Sequence, residues 1–352
     1  MTCLPKALLC WRCGIKRTLL AVFCKSRQHS NHISNFTSTA ILHYFIQTKF
    51  PNMSGIKNIA LAGAAGSIGS VLLQKLIADP QLTPTVLRRN GSKSTFPSGV
   101  NVINVDYNSV EALTAALKSQ HGLVMTMSTD PDASRAQEPL IEAAVAAGVD
   151  RVIPAEFGSN MLNELTQKLP VFGAKMEAAD LIVGKAEKGE LTYTRIFSGA
   201  LLDWGIDKKF VFNLDEPFVL GHGNDQFSAT SIDTVASAIV SVFHHFEQTK
   251  NKVLYIEDLQ VTQNELLEMA KKAAPEREWT FKQQLNLDEL HAQSDEQLSK
   301  GEINAFTMVP YLWRSLFDPK YEARWEKSDN SVLELETKGQ DYFVAHMQSL
   351  LK

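Results

Sequence analysis

Gly63, Gly66 and Gly69 stand three apart directly behind the short apolar run Ile59 to Ala62. That run is too short for a helix and ends at glycine, whereas Ile68, Val71, Leu72 and Leu76 then recur at helical spacing. The period changes at the turn, and a strand, a glycine turn and a helix in this order form a cradle for a dinucleotide pyrophosphate. Gly63 permits the bend, Gly66 lets backbone N–H groups approach the phosphates, and Gly69 brings the helix against the strand with its N-terminus toward the anion. Gly63, Ala65, Gly66, Ser67, Ile68 and Gly69 are therefore expected to bind cofactor. The alternative is a purely structural strand-to-helix turn.

The end of the next strand discriminates between dinucleotides. An NAD site places Asp or Glu about 20 residues beyond the glycines for the ribose 2′-hydroxyl, whereas an NADP site needs cations for the 2′-phosphate. This chain reads Val86-Leu87-Arg88-Arg89-Asn90-Gly91-Ser92-Lys93, with no carboxylate. Arg89 falls at the expected place with Arg88 and Lys93 nearby, and a guanidinium grips phosphate through two parallel hydrogen bonds. NADP(H) is the expected cofactor, against a plain solvated basic loop. Asp106 and Tyr107 end the third strand, where Asp106 is the candidate adenine contact or simply starts the next helix. Thr126 and Ser128 end the fourth, where they border the cofactor or serve as ordinary strand and turn residues.

A hydride transfer also needs a proton source for the developing alkoxide or phenolate. The Tyr-x-x-x-Lys solution is missing, because Glu111, Phe197, Leu259, Ser315 and Trp325 follow Tyr107, Tyr193, Tyr255, Tyr311 and Tyr321 at that spacing. A lone lysine serves if burial or a neighbouring cation lowers its pKa. Lys175 opens a helix after the Pro170 and Gly173 break and follows the segment Arg151-Val-Ile-Pro-Ala-Glu-Phe-Gly158. Spacing alone leaves it a helix-surface lysine. Glu156 either orients the lysine or the nicotinamide amide or forms a turn or salt bridge. Phe157 is the candidate nicotinamide wall, and Phe172, Phe197, Leu201 and Trp204 are either a substrate pocket or ordinary core. His244 and His245 have no further ligand pair, so no metal site is expected, and no Ser, His and acid arrangement supports hydrolysis.

The elements that must position these groups alternate. Strands are expected at 58–62, 84–88, 101–105, 122–127 and 150–154, with helices at 67–78, 109–119 and 133–147 between them. This is α/β, a Rossmann-type doubly wound parallel sheet. A helix at 174–188, a β-rich run 191–197 and a helix 233–246 follow. Beyond residue 250 the alternation loosens, with helices near 263–273 and 287–298 and an aromatic-rich stretch from Phe306 to Trp325. The expected division is an extension 1–52, a nucleotide-binding domain 53–250 with substrate-lining segments near 157–175 and 197–225, and a smaller substrate-covering region 251–352.

Charge separates the extension from the rest. Residues 1–52 hold seven of the 35 basic residues and no acid, so the remainder is more acidic than the overall net charge of −4. An acidic body discourages binding to nucleic acid or to anionic membrane, and no apolar stretch is long enough to span a bilayer. Cys3, Cys10, Cys13 and Cys24 all lie in the extension, which leaves the body without thiolate or disulfide chemistry. Cys10-Trp-Arg-Cys13 has redox spacing but no βαβ context, and Asn35-Phe-Thr37 is a lone sequon. Translation starting at Met53, with the upstream residues an imperfect gene model or dispensable tail, ranks ahead of a mitochondrial transit peptide or a secretory signal. A cytoplasmic location is expected on the first reading and a mitochondrial one on the second.

Taken together, the glycine turn, Arg89, Gln137, Ala147-Gly-Val-Asp-Arg-Val-Ile-Pro, the Pro-Ala-Glu-Phe-Gly signature, Lys175, Leu191-Thr-Tyr-Thr and Leu202-Asp-Trp-Gly205 resemble the NmrA-like and isoflavone-reductase-like family of atypical short-chain dehydrogenases, fungal members most closely. The resemblance covers nearly all of the body. It implies a Rossmann-type NADPH-binding domain, a smaller C-terminal region over the nicotinamide, and a catalytic role for Lys175. Ala155 stands where the plant enzymes commonly have Ser, and the helix after Lys175 is about two residues longer, so plant substrates do not carry over. The function expected is an NADPH-dependent reductase of a small, largely apolar carbonyl or conjugated metabolite, aromatic or polyketide-like, in fungal secondary metabolism. The alternative is a non-catalytic NADP-sensing regulator partnered with a transcription factor.

Overall fold

Ile59, Ala60, Leu61 and Ala62 have no exposed surface, as a continuous apolar strand covered on both faces requires. In the computed structural model, which describes residues 57–128 and 131–352 without the side chains of 131 and 132, they form β1, Asn58–Ala62. The readings of the four cysteines, the sequon and the extension 1–52 fall outside the described residues. The strands that follow are β2 Thr83–Arg89, β3 Asn101–Val105, β4 Gly122–Met125, β5 Arg151–Ile153, β6 Thr192–Phe197, β7 Ala200–Leu201, β8 Phe218–Leu220, β9 Phe227–Thr230, β10 Lys252–Tyr255, β11 Leu259–Val261 and β12 Gln283–Leu285.

Seven of them form a sheet in the order β10-β6-β5-β4-β1-β2-β3, and every pairing in it is parallel. From β1 the chain runs outward to β2 and β3 and then returns to β4 on the other side of β1. The crevice at the carboxyl ends of β1 and β4 is therefore the topological switch point, where ligands bind in such sheets. Alternate residues of β1 face opposite layers. Ile59 and Leu61 pack with Leu72, Leu76, Val235 and Ile239 from helices Ser67–Ala78 and Ile232–His244. Ala60 and Ala62 pack with Leu113, Leu140 and Ile182 from helices Val110–Leu117, Gln137–Ala147 and Gly173–Glu187.

Two differences from the expected elements bear on the site. The helix expected at 133–147 is two, Pro131–Arg135 and Gln137–Ala147. The break coincides with Gln137 turning inward, 1% exposed, where its Oε1 accepts from the backbone N–H of Ala155 at 2.8 Å, just beyond β5. The seventh strand, β10, was not expected at all. Its four residues are too few for a period, and it exists because β6 offers a free parallel edge. Beyond it, Leu202, Phe212 and Phe227 share one hydrophobic cluster with Val261, Leu266, Phe317 and Phe343, so the segments before and after residue 250 have a core in common. No helix among the described residues is long and apolar enough to cross a membrane.

Arg151, within the signature segment, is fully buried. Its guanidinium donates to Thr192 Oγ1, Thr194 Oγ1, Thr249 Oγ1 and the Phe246 carbonyl at 2.7–2.9 Å and lies 4.1 Å from the Phe246 ring centroid. Burial pushes its pKa down, yet four acceptors make the charge tolerable there. It ties β5 and β6 to the turn that leads into β10. Arg151→Met orphans those acceptors, so urea denaturation should show a loss of about 2–4 kcal/mol with little change in slope.

Candidate active site

The glycine turn closes on itself through contacts that admit no side chain. A Cβ on Gly69 would stand 2.1 Å from the Gly63 carbonyl oxygen, and one on Gly63, whose φ is +87°, would stand 2.8 Å from Thr126 Oγ1. Thr126 is held there by donating from its hydroxyl to the Ala62 carbonyl at 3.0 Å. Helix Ser67–Ala78 has neither a side-chain cap at Gly66 nor an acid in its first turn. Its first N–H groups therefore face outward with their partial positive charge, which is what a pyrophosphate requires. Ala65, Gly66 and Ser67 are exposed on this rim and Ile68 is half-buried behind it.

At the end of β2 the three basic residues separate. Arg88 is committed to the fold, donating from Nε to Asn104 Oδ1 at 2.7 Å and from Nη1 to the Ser94 carbonyl at 3.0 Å. Arg89 is exposed, and its side chain forms no hydrogen bond or ion pair among the described residues. It pairs in register with Val105, so its side chain stands at the carboxyl edge beside Tyr107. Tyr107 donates to the Leu87 carbonyl at 2.8 Å, and burial pushes its phenol up while the Arg89 guanidinium offsets part of that rise. Lys93 is exposed in the following loop. Asp106 is exposed and accepts from the Asn108 N–H at 2.9 Å, a turn-forming contact, while Ser109 caps the next helix. Ser128 is exposed past β4, and its carbonyl accepts from the Ser134 hydroxyl.

Beyond β5 the chain buries charge. Glu156 is 2% exposed, and its Oε2 accepts from Arg195 Nε, on β6, at 2.6 Å. Burial pushes the Glu156 carboxyl up, and the Arg195 guanidinium opposes that rise. Lys175, in the first turn of helix Gly173–Glu187, is 7% exposed, and its ammonium forms no hydrogen bond or ion pair among the described residues. Burial drives its pKa down to about 8, and the Glu156 carboxylate partly counters the drop. The surface reading of this lysine is excluded by its burial. Arg195 carries no motif and escaped the reading by spacing. The available signal was a lone charge inside the otherwise β-rich Thr192–Phe197, which must be paired if the strand is central.

The apolar candidates divide among different clusters. Phe172 and Phe197 share one with Met161, Tyr311, Tyr321 and Trp325, and the Phe197 ring meets Tyr255 edge-on at 5.5 Å. Phe157 and Leu201 lie at the margin of the layer formed by helices Ser67–Ala78 and Ile232–His244. Trp204 packs on Phe210 at 5.8 Å. Asp203 beside it accepts from the N–H groups of Trp204 and Ile232, and so anchors the start of helix Ile232–His244. A cleft of about 950 Å³ abuts this region through Asn160, Tyr255 and Trp325, with Arg324 and Lys327 on its rim. Lys175 and the glycine turn are not part of its lining.

A family model described as NAD(P)H-binding matches residues 63–246, from the first glycine of the turn to the end of the helix that covers β1. The chain belongs to this NAD(P)H-binding family. It is similar to the oxidoreductase aprR of Aspergillus flavus, 31% identical over a 305-residue alignment that covers 84% of this chain and 98% of aprR. It is also similar to the oxidoreductase poxI of Penicillium oxalicum, 27% identical over 82% of this chain and 93% of poxI. The fold matches leucoanthocyanidin reductase with NADPH from Vitis vinifera, with a TM-score of 0.66, 19% identity, and 82% and 99% of the two chains covered. An isoflavone reductase gives 0.64 at 18% identity over the same shares. This family member is an NAD(P)H-dependent oxidoreductase with the Rossmann-like fold of those reductases.

Two outcomes test this geometry. Arg89→Glu should weaken NADPH binding about 10- to 100-fold more than NADH binding, whereas Arg88→Ala should leave the ratio unchanged; isothermal titration with both cofactors measures this. The second concerns stability. Between the folded pKa of Lys175 of about 8 and its ordinary 10.5, the unfolded chain binds more protons, so this group makes stability rise with pH across that window. Lys175→Met should therefore stabilise the protein at pH 7, by on the order of 2 kcal/mol, and flatten the rise; thermal melts of both proteins from pH 7 to 10 provide the comparison.

Proposed function

We propose that the chain is an NADPH-dependent reductase of a small, largely apolar carbonyl or conjugated metabolite, aromatic or polyketide-like, in fungal secondary metabolism. One observation carries the reading: an unpaired, buried ammonium, that of Lys175, at the carboxyl edge of a sheet whose switch point carries a dinucleotide cradle. The turn from Gly63 to Gly69 and Arg89 would hold the pyrophosphate and the 2′-phosphate. NADPH supplies the hydride when bound.

The chain's own residues do the rest. Lys175 keeps a proton at neutral pH but releases it readily, which suits a general acid that meets negative charge developing on a substrate oxygen. Its low-dielectric surroundings strengthen that attraction and keep water from competing. Phe172, directly before the lysine's helix, and Phe197, at the end of β6, are buried in one apolar cluster and so help to hold the lysine's helix in place. The fungal oxidoreductases similar to this chain support the same reading, and a cytoplasmic location goes with it.

The test is NADPH consumption over a panel of aromatic and polyketide-type ketones and conjugated compounds. Turnover should fall as pH rises through about 8. Lys175→Ala should lose at least about 100-fold in kcat with NADPH affinity retained. Should neither protein turn over any substrate while one partner protein is retained only in the presence of NADP, the regulatory reading replaces this one.

A further inference from the structure

Two buried cations face one buried carboxylate at the candidate site, and only one of them holds it. Arg195 is 5% exposed on β6, donates to Glu156 Oε2 at 2.6 Å, and lies 5.4 Å from the Phe197 ring centroid. Lys175 is close enough to feel the same carboxylate but forms no ion pair with it. Glu156 Oε1 and Arg195 Nη2 are both inaccessible and without a partner, so this carboxylate has an oxygen to spare. An ammonium that closed onto that oxygen would be stabilised in its charged form and would hold its proton. We propose that Arg195 is a positioning residue: by fixing Glu156 through Oε2 it keeps the carboxylate from turning its free oxygen onto Lys175 and so keeps the lysine's proton available for transfer. The proposal rests on the reading of Lys175 as the proton donor.

The other charges around the lysine leave this competition undisturbed. Helix Gly173–Glu187 packs on helices Gln137–Ala147 and Pro131–Arg135 and on β6. The first contributes Glu138 and Glu142, and Glu142 is paired with Lys185 at 2.8 Å, more than two turns from Lys175. Pro131–Arg135 contributes Arg135, β6 contributes Tyr193 and Arg195, and the lysine's own helix carries Glu177 and Asp180. Among the described residues Glu156 is the charge that acts on the Lys175 ammonium, and Arg195 is its direct partner.

Competition for one carboxylate makes opposite demands on two variants, and the intermediate response of Arg195→Lys, which keeps the charge but changes the grip, separates positioning from charge alone. The full chain is labelled with 13Cε-lysine, and the Lys175 resonance is assigned by its loss in Lys175→Arg. Arg195→Met frees Glu156 and should raise the Lys175 midpoint by at least about one pH unit, whereas Glu156→Gln removes the attraction and should lower it by a similar amount. Arg195→Lys should fall between wild type and Arg195→Met, and it takes the place of the methionine variant if that one does not fold. Unchanged midpoints, or shifts of the same sign in both variants, overturn the proposal. In the panel assay the alkaline fall in kcat should move with the midpoint in each variant. Midpoints that move in opposite senses without any reductase turnover uphold the charge competition and reject the reductase reading.

Discussion

The approach of Gly69 to the Gly63 carbonyl governs the nucleotide end of this molecule. It is closer than any Cβ permits, and it fixes where β1 stops, where helix Ser67–Ala78 starts and in which direction that helix's N-terminus faces. Thr126 completes the contact from β4, the strand on the other side of the switch point. The cradle is thus assembled from two strands that are adjacent in the sheet yet about sixty residues apart in the chain. A methyl group there would push the helix off the strand and tilt the outward-facing N–H groups away from their anion.

The chemical end depends on a different constraint, the cost of burying charge. Three ionisable side chains, Glu156, Lys175 and Arg195, are almost without solvent in one small region. Two of them compensate each other and the third does not, and that imbalance sets Lys175 apart from the ion pair beside it. Arg151 gives the contrast within the same signature segment. It is equally buried, but each nitrogen of its guanidinium has a hydroxyl or carbonyl partner, and its place at the start of β5 makes it a clamp on the sheet.

Much of the nucleotide half was legible in the residues. The glycine spacing, the apolar β1 and the helical period after Ile68 are local signals, and the structure returns them at Asn58–Ala62 and Ser67–Ala78. The basic cluster was legible only as a group, because its three members differ in what they touch. Arg88 meets Asn104 on the neighbouring strand, a partner set by β2–β3 register, which leaves Arg89 and Lys93 facing outward. The division of helix 133–147 and the existence of β10 were not legible, since one depends on a glutamine reaching the end of β5 and the other on a free sheet edge.

By itself the sequence determined the fold class and the kind of cofactor, because turn chemistry, hydrophobic period and the absence of a carboxylate are all written within a few consecutive residues; Lys175 stood out through the family resemblance. Only the tertiary structure decided that Lys175 is buried, that Glu156 is already taken by Arg195, and that Phe172 and Phe197 share a cluster from which Leu201 and Trp204 are separate. Burial and charge pairing are properties of the space between strands that are neighbours in the sheet but distant in the chain. Their free energies are set by dielectric surroundings and by partners, and spacing along one strand or helix does not encode either.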